Sequence, residues 1–316
     1  MIKSVAIIGL GAVGGMVLPE FTRVLGHENV YAIATGERGD RLKREGIYIN
    51  GKHFLPRVVS PSKAGEPADL IILAVKSSAL SQAIKDMANQ VGKDTIIMSL
   101  MNGIDSEAKL VESFGAEHVI YGLTTLNTSY RQGQVNFSFD VGEIKFGSAE
   151  NDPNHPHQGI KKIKTLFDKT DIPYQIPQNM IHELWKKFLF NASANSIAAV
   201  LHARHRYFQN IPSAVTAKAL VIDEIMVVAN AVGAELTDED ATFYKNIPWE
   251  WEPEGRCSMV QDIEMGKISE NEMFLGSILD MAREHHLKIP ACELLYLLIK
   301  TIDEANQLTW REHQAT

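Results

Sequence analysis

Cysteine is nearly absent from this chain of 316 residues, which has only Cys257 and Cys292. A disulfide framework is therefore not expected to stabilise it, and a reducing, cytoplasmic setting fits. Apolar runs of membrane-spanning length are missing as well. The first apolar run is short and ends in a glycine turn, so neither a transmembrane segment nor a signal peptide is expected. Positive charge is in deficit: 31 Lys and Arg against 39 Asp and Glu leave a net charge of −8, which argues against nucleic acid or an anionic membrane as partner. Histidines lack metal-ligand company. His155 and His157 lie in a loop rich in Asn, Asp and Pro, His202 and His205 near a helix end, and His285 and His286 side by side, none with Cys or carboxylate at ligand spacing. No metal is expected. What remains is a globular composition, 45% hydrophobic and 22% charged, and a length that exceeds one typical domain.

The most informative run present is Val5-Ala6-Ile7-Ile8-Gly9-Leu10-Gly11-Ala12-Val13-Gly14. An apolar strand breaks into G-x-G-x-x-G and continues with Val13, Met16, Val17 and Phe21 at helical spacing. Gly9 permits a tight turn, Gly11 lets the backbone approach a pyrophosphate, and Gly14 lets the helix pack on its strand. The helix start offers unpaired N–H groups and a positive dipole end to phosphates. The bland alternative is a strand-turn-helix without a ligand. The strand before the motif and the helix after it favour a dinucleotide.

The second strand, Val30-Tyr31-Ala32-Ile33-Ala34, ends in Thr35-Gly36 without the carboxylate that usually holds the ribose of NAD. Arg38 and Arg41 follow and suit a 2′-phosphate, so NADP (as NADPH) is the expected cofactor. Glu37 could take the acidic role instead, and Arg38, Arg41, Lys43 and Arg44 could form only the wet face of a helix.

Strands and helices alternate through the first half. The runs 69–76 and 95–100 are near-continuously apolar, as parallel strands covered on both faces should be. Asn102 and Gly103 follow the second of these, at the edge where open α/β sheets bind ligands. Residues 124–147 read as antiparallel strands at the sheet edge, and 158–169 as a polar helix. Beyond Asn179 strand signals almost vanish, with helical spacing over 180–200, 212–232, 270–286 and 291–305. The expected fold is an α/β Rossmann-type dinucleotide-binding domain, 1–178, followed by an all-helical C-terminal domain, 179–316, with the active site in the cleft between them. Ser269 and Glu272 have capping-box spacing, and Ser258 is expected to cap a short helix. Trp249 and Trp251 sit in a loop that could line a substrate mouth, form a subunit contact, or pin itself to the helices.

Lys187, Asn191 and Asn195 recur at four-residue spacing in an otherwise apolar helix and so share one face. Such a polar stripe suits a ligand, although a snorkelling lysine and helix-bridging asparagines would produce it too. Ser258 suits a substrate carboxylate and Glu270 a substrate hydroxyl, yet both residue types are common at helix starts.

Taken together, Gly9 to Gly14, Val75-Lys76, Asn102-Gly103, Trp185-Lys186-Lys187 with Asn191 and Asn195, the run Ser258 to Ile263, and Glu270 resemble the ketopantoate reductases over nearly the whole length. The resemblance implies NADPH-dependent reduction of 2-dehydropantoate on the route to pantothenate and coenzyme A. It implies that Lys187 is the general acid, and that Asn102, Asn191, Asn195, Ser258 and Glu270 orient substrate. It further implies that Lys76 lies by the cofactor and that the chain forms a homodimer. After Asn195 the chain departs from the family's usual Asn-Pro-Leu-Thr-like stretch, reading Ser196-Ile197-Ala198 instead. Two other readings stay open: a reductase or dehydrogenase for another small 2-keto or imino acid, and a non-catalytic NADP-binding sensor.

Overall fold

Residues 1–63, 65–131, 133–151, 157–246 and 252–315 are described by the computed structural model. His155, Trp249 and Trp251 fall outside them. The chain divides into two compact units, Met1–Ile181 and His182–Thr316.

In the first unit, β1 (Val5–Ile8), β2 (Val30–Ile33), β5 (Arg57–Val59), β6 (Leu70–Leu73), β7 (Ile96–Ser99) and β8 (Val119–Thr124) lie parallel in the order β5-β2-β1-β6-β7-β8. The sheet is extended by β11 (Ile144–Gly147), antiparallel to β8, and β12 (Tyr174–Gln175). Alternate side chains feed two cores. Val5, Ile7, Leu70, Ile72, Ile96 and Met98 face one side, packed with Met16, Val17 and Phe21 of α1 (Ala12–Leu25). Ala6, Ile8, Ile71, Leu73 and Ile97 face the other. There they meet Leu80, Ala83 and Met87 of α3 (Leu80–Met87) and Leu110 of α4 (Ser106–Phe114). Cover on both faces is why these strands carry no polar alternation. Between β2 and β5 run α2 (Gly36–Glu45) and a hairpin, β3 (Ile47–Ile49) and β4 (Lys52–Phe54). A fifth helix, α5 (Gln158–Phe167), adds Ile160, Ile163 and Phe167 to the first core.

The segment 124–147 does not stay at the sheet edge as expected. Only β11 joins the large sheet, while β9 (Thr128–Arg131) and β10 (Gln134–Phe137) pair with the β3–β4 hairpin in a separate four-stranded sheet. That sheet leans on α1: the Thr128 hydroxyl donates to the Ala12 carbonyl at 3.0 Å, and a Cβ on Gly15 would meet Val135 at 2.7 Å.

Among its described residues the second unit holds helices and no strand: α6 (Met180–Phe190, which begins just before the division), α7 (Ser196–Leu201), α8 (His205–Asn210), α9 (Pro212–Ala231), α10 (Asp238–Asn246), α11 (Ser258–Glu264), α12 (Ser277–Glu284) and α13 (Pro290–Ala315). The Glu224 carboxylate of α9 accepts the amides of Ala291 and Cys292 at 2.9 and 2.8 Å, satisfying two of the donors exposed at the start of α13. The continuous α-helix expected over 180–200 is interrupted. Asn191–Asn195 form a π turn between α6 and α7, and a second π turn, Glu272–Gly276, leads into α12. No described helix is long and apolar enough to cross a membrane.

Candidate active site

The glycine loop shows why each glycine is there. Gly9 has φ +99°, and a Cβ on it would lie 2.5 Å from the Ala74 carbonyl oxygen. A Cβ on Gly14 would lie 2.2 Å from the Gly9 carbonyl oxygen. Both positions are closed by the protein itself. Gly11 differs: a Cβ there would meet nothing within 4 Å. Its side faces open space beside the first turn of α1, whose N-cap Gly11 offers no side chain to the amides of Ala12, Val13 and Gly14, while the Gly11 amide itself donates to the Gly9 carbonyl at 2.8 Å. The exposed Arg38 of α2 reaches back over this loop, its guanidinium donating to the Leu10 carbonyl at 2.9 Å. Thr35, Glu37 and Arg41 are exposed around it. An anionic dinucleotide fits this set of residues: an open cradle of amides with a guanidinium at its rim.

Lys76 ends the stretch after β6 and Asn102 the stretch after β7, so the glycine loop, Lys76 and Asn102 share the carboxyl edge of three neighbouring strands. Contact between them begins at Gly9, which packs on the backbone of Ala74 and Val75. This edge includes the point where strand order reverses, between β1 and β6, the usual place for a ligand in such sheets. The first turn of α4, which follows Asn102 in the chain, carries a group the sequence did not single out. Glu107, 2% exposed, accepts the Ser106 hydroxyl at 2.8 Å, and Ser106 meets the Ser99 hydroxyl at 2.8 Å. Burial pushes the Glu107 carboxyl up to about 7 against the hydrogen bonds that oppose it. In sequence it looks like any acid in a helix's first turn.

In the second unit α6 is anchored at its start. His182 Nε2 lies 2.8 Å from Asp240 Oδ2, which also accepts the Thr237 amide and hydroxyl. Burial works to raise the Asp240 pKa, but these hydrogen bonds outweigh it and hold the group below its ordinary value. Lys186 is drawn to the same cluster, 3.4 Å from Glu183 and 3.8 Å from Asp240. Lys187, next along, is half-buried on the adjoining face.

The π turn then changes the register that four-residue spacing implied, because each N–H reaches a carbonyl five residues back and the turn absorbs one more residue. Asn191 is half-buried and Asn195 only 4% exposed. The Ser193 hydroxyl donates to the carbonyls of Leu189 and Phe190 at 2.8 and 3.2 Å; Ser277, after the second π turn, does the same to Met273 and Phe274 at 2.7 and 3.0 Å. The first π turn packs against both α11 and the second π turn, and the Phe188 and Phe274 rings stand 5.9 Å apart. Lys187, Asn191, Asn195, Ser258 and Glu270 thus sit on or beside segments that pack around one π turn.

One local expectation is corrected and another is met in part. Ser258 is the first residue of α11, is exposed, and does not cap it; Cys257 holds the N-cap position. The capping box of Ser269 and Glu272 forms on one side only: the Ser269 hydroxyl accepts the Asn271 amide at 3.3 Å and marks the helix start, while Glu272 is drawn to a tertiary partner. Asp303 takes the Ser269 amide and hydroxyl at 3.0 and 2.7 Å, and Glu272 accepts the Tyr296 hydroxyl at 2.7 Å. Cys257 and Cys292 are buried, and burial raises both thiols, Cys257 to about 12, so neither is poised as a nucleophile. Among the described residues no group of three or more His, Cys, Asp or Glu could hold a metal. A cleft of about 280 Å³ lined by Leu18, His27, His53 and Phe54 lies at the far end of α1 from the glycine loop. Its two imidazoles already engage the carbonyls of Leu55 and Glu45.

Comparison with known proteins agrees in sequence and in fold. The chain is 26% identical over 310 residues to a 2-dehydropantoate 2-reductase of Aquifex aeolicus, covering 95% of this chain and 97% of the relative. Its fold is similar to that of D-mandelate dehydrogenase in a ternary structure with NADH and anilino(oxo)acetate. The TM-score is 0.86 at 22% identity, over 96% of this chain and 99% of that one. A dimeric ketopantoate reductase from Staphylococcus aureus gives a TM-score of 0.78 at 21% identity, again over 96% and 99%. The family model Ketopantoate reductase PanE/ApbA matches residues 5–151 and its C-terminal counterpart matches 179–303, so the chain belongs to the ketopantoate reductase family.

Proposed function

We propose that this protein reduces the ketone of 2-dehydropantoate, or of a similarly small branched 2-keto acid, with NADPH. The observation that carries the reading is the polar set Lys187, Asn191 and Asn195, borne by an apolar helix and its π turn, which packs against the α11 helix of Ser258. A dinucleotide sensor has no use for it. When bound, NADPH supplies the hydride that adds to the keto carbon. Lys187, protonated, stabilises the negative charge growing on the substrate oxygen and then delivers its proton there. Asn191 and Asn195 orient the substrate through their amides. The Ser258 hydroxyl suits its carboxylate, and Glu270 suits a hydroxyl. Toward the cofactor, the amides of the glycine loop hold the pyrophosphate, Arg38 answers a 2′-phosphate, and Lys76 and Asn102 hold the nicotinamide end.

The test is oxidation of NADPH and of NADH across a panel of 2-keto acids, together with rescue of a strain that requires pantothenate. Turnover of 2-dehydropantoate with preference for NADPH is expected. Turnover of another keto or imino acid alone would reassign the substrate, and tight NADPH binding without turnover of any carbonyl would favour a sensor. The same reading takes the chain to be a homodimer. Leu220 and Val227 of α9 and Leu294, Leu297 and Leu298 of α13 are exposed, and a second copy would cover such apolar side chains. Sedimentation as a monomer at high concentration would remove that part.

A further inference from the structure

The carboxyl edge of β7 is tied down by a chain of hydrogen bonds that the reduction chemistry does not use. The Met101 amide donates to the Ser99 hydroxyl at 3.3 Å, Ser99 and Ser106 are 2.8 Å apart, and Ser106 donates to Glu107 at 2.8 Å. Because the Ser106 hydroxyl donates to Glu107, the far end of the chain orients both hydroxyls. Ser106 gives its proton to Glu107, Ser99 gives its proton to Ser106, and the Ser99 lone pairs are left for Met101. The next residue is Asn102, followed by Gly103 at φ +96°. The main chain leaves the sheet just before this turn: the Leu100 amide still bonds to Leu73, at 2.9 Å.

Glu107 is an expensive choice for a merely structural acid. All three groups that donate to it are neutral: the Ser106 hydroxyl, its own amide and the Gly122 amide. A buried carboxylate with only neutral donors bears a desolvation cost that an exposed acid at a helix start avoids. The network is also confined from β8, where a Cβ on Gly122 would come 2.4 Å from the Ser99 carbonyl oxygen. No side chain can fill the space in its place.

The geometry points to Glu107 as a positioning residue, which acts through Ser106 and Ser99 to fix the turn that presents Asn102 to the dinucleotide. The inference rests on the assignment of Asn102 to the cofactor edge, and its test is a double-mutant cycle read by NADPH binding, which needs no substrate. Asn102→Ala and Ser106→Ala are each expected to weaken NADPH binding about fivefold, the worth of roughly one neutral hydrogen bond. The double variant should bind no more weakly than the worse single one, within about twofold, because both remove the same contact. A loss of packing alone would not produce that coupling. Should Ser106→Ala fail to fold, Ser99→Ala cuts the last link and enters the same cycle. Losses that multiply, or wild-type affinity in Ser106→Ala or Ser99→Ala while Asn102→Ala is impaired, overturn the positioning role. Wild-type affinity in Asn102→Ala overturns it too, through the assignment of Asn102. A protein that binds NADPH with the expected coupling but reduces no 2-keto acid upholds the positioning role and fails only the proposed reaction.

Discussion

Replacing Gly11 by alanine tests the glycine assigned to the pyrophosphate against its two structural neighbours. An added Cβ at Gly11 meets no protein atom within 4 Å, and its backbone, at φ −101°, is open to an L residue. Stability without cofactor should therefore stay within about 1 kcal/mol of the parent, since a poorer N-cap and a less flexible unfolded chain roughly offset. The methyl group would instead stand where a pyrophosphate must approach the amides. Losing one hydrogen bond to a charged group costs about 1.5–3 kcal/mol, so the dissociation constant should rise roughly 10- to 150-fold. NADPH and NADH should suffer alike, because both carry the pyrophosphate. Gly14→Ala should behave in the opposite way. Its Cβ would lie 2.2 Å from the Gly9 carbonyl oxygen and 3.1 Å from Ile7, so backbone must move. Overpacking of this kind costs about 1–3 kcal/mol, or roughly 2–12 °C in melting temperature for a unit of this size. Calorimetry without cofactor and a fluorescence titration with each dinucleotide give both numbers. Unchanged affinity in Gly11→Ala, or a melting temperature that falls as far as in Gly14→Ala, would refute the assignment of this loop to the pyrophosphate.

Arg38→Ala should weaken NADPH about tenfold and leave NADH nearly unchanged; equal losses, measured by the same titration, would transfer the ribose to Glu37. Lys187→Ala should lower kcat by roughly 10²–10⁴-fold with little change in NADPH affinity. Lys186→Ala should stay within about threefold in kcat, since its contacts with Glu183 and Asp240, at 3.4 and 3.8 Å, tie it to the start of α6 and not to the reacting atoms; steady-state kinetics that reverse this order would reassign the proton donor. Glu107 makes stability depend on pH. Its carboxyl titrates at about 7 in the folded chain against an ordinary 4.5, so the folded state holds the proton more tightly. Its contribution is most favourable below pH 4.5 and declines by up to about 3 kcal/mol as pH rises to 7. Asp240 acts the other way and at lower pH, where protonation removes what its hydrogen bonds contribute. Urea unfolding at several pH values should show the decline in the parent and a flatter profile in Glu107→Gln; an unchanged slope would contradict it.

The parts of this fold legible in sequence are those where one local rule decides. Leu70–Leu73 and Ile96–Ser99 read as covered parallel strands because burial on both faces leaves no polar position. The glycine loop reads as itself because Gly9 and Gly14 each answer a steric demand of the strand and helix they join. Other features depend on partners far away in the chain. Asn50 and Gly51, at φ 47° and 74°, turn the β3–β4 hairpin, and the dipeptide could have revealed it. Nothing local, however, told β10 to pair in parallel with β3, where Val135 lies opposite Ile49. The π turn is silent for a different reason. Four-residue spacing from Lys187 to Asn195 is what an unbroken helix would show, and the serine that bonds back to Leu189 is a common residue in either state. Glu107 was invisible because its burial comes from β8, not from its own helix.

A π turn is also a length difference stored in a helix. The α6–π–α7 path holds one residue more than an uninterrupted helix would need to span the same two ends. Deleting one residue inside the turn would close it into an α-helix that spans the same two ends, so Lys187 and the residues after Asn195 would keep their faces. Only the turn itself would change, its side chains redistributed around the axis. The second π turn, beside Glu270, offers the same freedom. A scaffold with two such turns in contact has a route to new side chains in one place that bypasses point substitution. Gain or loss of a single codon in either turn changes what that turn presents, while the helix ends and their packing stay put.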